Sequence, residues 1–72
     1  MKTKAENIRA GDRIRIGHSV RSYTYQVLNV SREKGFVVLL MQPWSIFAKA
    51  WILRRRPNTI IEVVKKSDGK DN

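Results

Sequence analysis

The chain has 72 residues, which is room for one small domain. Fifteen Lys and Arg stand against six Asp and Glu, a formal charge of +9, and there is no cysteine. A disulfide framework, a thiolate metal site and a cysteine nucleophile are therefore excluded, and His18, the one histidine, makes neither a multi-histidine metal site nor a histidine-rich catalytic centre.

The apolar share of 42% is too high for a disordered basic tail. A chain this short buries only about 60% of its unfolded surface, so its core has to be small. The cysteine-free composition fits the reducing cytoplasm. Residues 1–7 are polar and lack an apolar core, so no secretory signal is expected there. Phe36 to Leu53 carries a single charge, Lys49, and tests for a membrane span. Gln42, Pro43, Ser45 and Lys49 interrupt it, and a mid-membrane lysine costs about 2.5–3.5 kcal/mol on insertion. No membrane partner is expected.

Residues 1–12 read as a polar lead-in that ends in the turn Asn7-Ile8-Arg9-Ala10-Gly11-Asp12, with Ile8 as an apolar anchor and Gly11 free to take positive φ. Arg13-Ile14-Arg15-Ile16 alternates with period two and predicts a half-buried strand. Residues 17–22 read as a polar loop. Tyr23 to Val30, rich in aromatic and β-branched residues, predicts a second strand. Its apolar set changes face at Leu28, which predicts a bulge or strong coiling near Leu28 or Asn29. Arg32-Glu33-Lys34-Gly35 predicts a hairpin turn with Gly35 in the left-handed position. The apolar run Phe36 to Met41 predicts a strand buried on both sides.

Gln42-Pro43-Trp44-Ser45 breaks that run. Ile46 to Leu53 then reads two ways. As a strand it alternates; as a helix at about 44–55, Trp44, Phe47, Ala48 and Trp51 fall on one face and Pro43 suits the first turn. The strand is favoured because its neighbours are strands and Pro57 sits at a tight turn. Thr59 to Val64 predicts the last strand, and residues 65–72 a polar flexible tail.

Five short strands with tight turns, over residues 1–64, predict an all-β domain rolled into a small five-stranded SH3-like barrel; the helical reading of 44–55 gives an α+β alternative. The residues Ile8-Arg9-Ala10-Gly11-Asp12-Arg13-Ile14, then Tyr25 to Val30, then Gly35-Phe36-Val37-Val38-Leu39, resemble the first three strands of the translation-type barrels: the amino-terminal domain of elongation factor P and the KOW-type ribosomal modules. The ending Arg56 to Val64 is similar to the closing strand of small uncharacterised barrels from actinobacteria and their phages. The turn at residues 32–35 is too short for the tip lysine of elongation factor P, so the resemblance implies a fold and not an activity.

The positive charge is uneven. Residues 1–22 and residues 41–56 each carry +4, the second segment with no acid, while residues 57–72 balance to zero. Arg13, Arg15, Arg21, Lys49, Arg54, Arg55 and Arg56 are thus the candidate contacts to a DNA or RNA backbone, since guanidinium forks grip phosphate oxygens in pairs. The same charges also serve simply to keep a small protein solvated. Trp51 beside Lys49, and Trp44 after Pro43, are candidate stacking surfaces for unpaired bases; buried, they would instead close the barrel. In a strand, Arg54 and Arg56 share a face and Arg55 opposes them, and an anion or Glu62 is expected close by. A different reading takes the same arginines as steering charges and Trp44 with Phe47 as anchors for an acidic protein partner. An open sheet edge also offers homodimer formation. His18 and Ser19 lack an assigned orienting group, and the acids show no paired spacing, so neither catalysis, a metal nor a cofactor is expected.

Overall fold

The computed structural model describes residues 1–18, 21–43 and 47–66. Among these residues six strands form one antiparallel sheet: β1 (Lys2–Lys4), β2 (Arg13–His18), β3 (Arg21–Glu33), β4 (Phe36–Pro43), β5 (Trp51–Arg55) and β6 (Ile60–Lys65). Their order is β1-β6-β2-β3-β4-β5, so the sheet is not closed, and β1 and β5 are its edges. The expected first and last strands do lie side by side: Ile14 pairs with Val63 and Arg15 with Glu62.

The amino-terminal lead-in is a correction. Lys2-Thr3-Lys4 pairs with Glu62, Ile61 and Ile60 and adds a sixth strand. A short 3-10 turn (Ala5–Asn7) follows, and both Ala5 and Ile8 are buried. The physical reason is supplied by β6, whose free edge accepts a strand regardless of side-chain pattern, while Ala5 and Ile8 provide the burial. Gly11 has φ 95°, and Asp12 beside it is buried. The Asp12 carboxylate accepts the Arg9 backbone N–H at 3.0 Å, and its carbonyl accepts the Val27 N–H at 2.8 Å. This ties the turn to β3.

Strand β3 is longer than expected, because its pairing with β2 runs out to His18 and Arg21. The register shift between Val27 and Asn29 places the bulge at Leu28. Glu33 pairs with Phe36 across a two-residue turn in which Lys34 (φ 50°) and Gly35 (φ 81°) are both left-handed, the geometry that matches the twist of a hairpin. Strand β4 is not buried on both sides. Val37, Leu39 and Met41 are buried, while Val38 and Leu40 on the opposite face are half-buried, since a single sheet has only one inner side.

Residues 51–55 are extended, which removes the helix from that part of the chain; the strand also starts later than the expected Ile46, with Phe47 and Ala48 in a turn. The core joins Ile14, Tyr25, Val27, Val37, Leu39, Met41, Ile61 and Val63 of β2, β3, β4 and β6 with Ala5 and Ile8 from the segment after β1, and Leu53 of β5 packs against it half-buried. Each fully buried aliphatic side chain contributes roughly 1.5–3 kcal/mol of transfer free energy. Among the described residues no helix is long and apolar enough to cross a membrane.

Candidate functional site

Strand β5 brings together the strongest candidates. Its register against β4 pairs Trp51 with Met41, Leu53 with Leu39 and Arg55 with Val37. Met41, Leu39 and Val37 point into the core, so Trp51, Leu53 and Arg55 share the inner face of the edge strand. Being at the edge, they are only partly covered, and Trp51 is 54% exposed. Its ring centroid lies 6.2 Å from that of buried Tyr25, with the planes tilted by 52°. Tyr23, Tyr25, Pro43, Ala48 and Trp51 line an open groove of 480 Å³ at this end of the sheet. The Gln42 side-chain amide donates to the Ala48 carbonyl at 3.0 Å and holds the turn that forms one wall. Lys49 is exposed two residues before Trp51.

The other end of β5 carries the arginine run. Arg54 pairs with Val38 on the outer face and Arg55 with Val37 on the inner one. Arg56 follows the strand, with its guanidinium carbon 5.6 Å from the centre of the Phe36 ring. Phe36 lies on the Val38 side of β4, so Arg54 and Arg56 occupy one face and Arg55 the other. The nearby acid is Glu33, at 3.4 Å from Arg54, and not the expected Glu62. Glu62 is taken by Arg15 at 3.2 Å. The reason is strand order: β6 lies beside β2, with β2, β3 and β4 between it and β5. Arg55 donates to the Arg54 carbonyl at 2.7 Å.

The sheet therefore separates the two basic segments. Arg13 and Arg15 lie on β2, with β3 and β4 between them and β5. Arg13 is half-buried and lines a second hollow of 400 Å³ with Ser22, Tyr23, Thr24 and Val64. Arg21 opens β3, while Trp44 lies outside the described residues. Phe47 is 91% exposed. Tyr23 and Tyr25 were not singled out as a groove by the sequence. Their two-residue spacing sets them on one face, but the wall opposite them comes from Pro43 and Ala48, which no local pattern announces. Asp12 is a buried turn-holder 3.9 Å from Lys66, and not part of this surface.

No family model matches the chain, and neither a curated protein nor a solved structure matches it significantly.

Proposed function

We propose that this is a small basic domain that binds nucleic acid, mainly through phosphate contacts from Arg54, Arg55, Arg56 and Lys49, with Trp51 as a stacking surface. The observation that supports this reading most is the composition of one edge strand and the residue after it: an exposed tryptophan beside an aromatic groove at one end, three arginines at the other. Aromatic faces and guanidinium groups are the two elements of a sequence-tolerant nucleic-acid surface. We further propose that the sheet is an SH3-like roll of the translation type, in which β2-β3-β4-β5 is the meander, β6 returns beside β2 and β1 is an added edge. A cytoplasmic setting belongs to the same reading. Neutralising several phosphates releases counterions, so titration of labelled DNA and RNA at two salt concentrations should show affinity falling steeply with salt. Binding that ignores salt removes the reading.

An acidic protein partner is the second reading, favoured by the exposure of Phe47, Leu28 and Ile52. A partner retained after nuclease treatment would carry it. A homodimer along β5 brings two arginine-bearing edges together, so like charge opposes it; sedimentation at two concentrations reads it directly.

A further inference from the structure

We infer, resting on the nucleic-acid reading above, that the groove between Trp51 and the tyrosines takes an unpaired base, so that the ligand is a single strand and not a duplex. The wall residues are Tyr23, Tyr25, Pro43, Ala48 and Trp51, and none carries a charge. Such a wall offers ring and aliphatic surface to the flat face of a base, and little to the polar edges by which a duplex is read. In a duplex those faces are covered by neighbouring base pairs; in a single strand they are available.

The Trp51 and Tyr25 rings are tilted by 52° and so do not stack on each other, which leaves the tryptophan surface to a ligand. Arg55 then supplies the matching charge. It lies on the inner face with Trp51, four residues along an extended strand, or about 13 Å. A strand with one base in the groove and its backbone following the inner face of β5 meets Arg55. The few polar groups in the groove predict weak discrimination among bases.

The test compares a labelled oligothymidylate with a duplex of equal length at one fixed salt concentration. The single strand should bind about tenfold more tightly, within the range of stacking on one or two aromatic residues. Trp51→Ala should remove most of that preference while changing duplex binding less than about twofold. Trp51→Phe, which keeps a ring and the packing, should retain a partial preference. Oligothymidylate should also quench tryptophan emission in the wild type, and much less in Trp51→Phe. Equal affinity for both ligands, or a preference unchanged in Trp51→Phe together with undiminished quenching, overturns the inference and leaves the nucleic-acid reading standing. Absence of binding to either ligand at low salt overturns both.

Discussion

On the β6–β2 side of the sheet, Arg15 meets Glu62 at 3.2 Å and Lys66 reaches Asp12 at 3.9 Å. On the β5 side, Lys49, Arg55 and Arg56 have no ion pair among the described residues, and Arg54 shares the single acid Glu33. The two regions also differ in packing. Strands β2 and β6 contribute Ile14, Ile61 and Val63 to the buried core, and the first strand covers the free edge of β6. Among the described residues, only Leu53 of β5 packs against the core, and no strand pairs with the outer edge of β5. The same residue type thus serves two ends. Where the core is dense, Arg15 is matched to a carboxylate across the ladder; where the sheet ends, Arg55 and Arg56 have no carboxylate partner among the described residues. Charge on an edge strand also deters strand-to-strand aggregation, so the arginine run protects β5 whether or not a ligand is bound.

The largest contrast should be in stability. Ile14→Ala removes a fully buried side chain from the β2 side and should cost about 2–5 kcal/mol in chemical denaturation. Ile52→Ala, at a side chain 60% exposed on β5, should stay within about 0.5 kcal/mol of wild type. A comparable loss at both positions would mean that the outer face of β5 is covered in solution, as the protein-partner reading requires. Asp12→Ala comes next. It leaves the Arg9 backbone N–H without its carboxylate partner beside a buried turn and should cost about 1–3 kcal/mol. Little effect from this change would show that the Val27–Asp12 backbone pair alone holds the turn.

Much of the frame follows from local pattern. Alternation at Arg13–Ile16, the change of apolar face at Leu28 and the left-handed turn at Gly35 each act within a few residues, and each is present in the structure. The misses have a different cause. Lys2-Thr3-Lys4 has no apolar period, and becomes a strand because β6 offers an unpaired edge. The continuous run from Phe36 to Met41 suggests two buried faces, whereas the number of layers is a property of the whole sheet. Charge pairing is the least legible feature. Glu62 and Arg15 are 47 residues apart, and Glu33 and Arg54 are 21 apart, so the arginines that are matched emerge only with strand order and register. The same holds for the groove, whose walls come from β3, β4 and β5 with the turn before β5.

Two double substitutions set the regions against each other at equal loss of charge. Arg55→Ala with Arg56→Ala should weaken nucleic-acid binding about tenfold and lower the slope of log affinity against log salt by about 2. Arg13→Ala with Arg15→Ala should weaken it less than about threefold, because the Arg15 charge is already met by Glu62 and the pair lies away from the groove. Circular dichroism should show both variants folded, since neither removes core volume. Equal weakening by the two pairs would mean that only total charge matters, and the localised site on β5 would have to be abandoned.

The smallest effect gives the sharpest comparison, because it adds charge in place of removing it. Glu33→Gln and Glu62→Gln each raise the net charge by one, and each releases one arginine: Arg54 on β5 in the first case and Arg15 on β2 in the second. Both pairs are exposed, so each contributes less than about 1 kcal/mol to stability, and both variants should unfold close to wild type. They part in binding. Freed from Glu33, Arg54 can reach from the outer face round the edge of β5 to a phosphate, and one repulsive carboxylate is gone from the neighbourhood of that strand. Glu33→Gln should therefore tighten single-strand binding about two- to threefold at low salt, a gain that fades as salt screens the surface. Freed from Glu62, Arg15 faces solvent three strands from β5, and Glu62→Gln should leave affinity nearly unchanged. If both variants tighten binding alike, the whole-molecule field attracts the ligand and β5 has no special part in it. If Glu62→Gln alone does so, the interface belongs on β2 and β6.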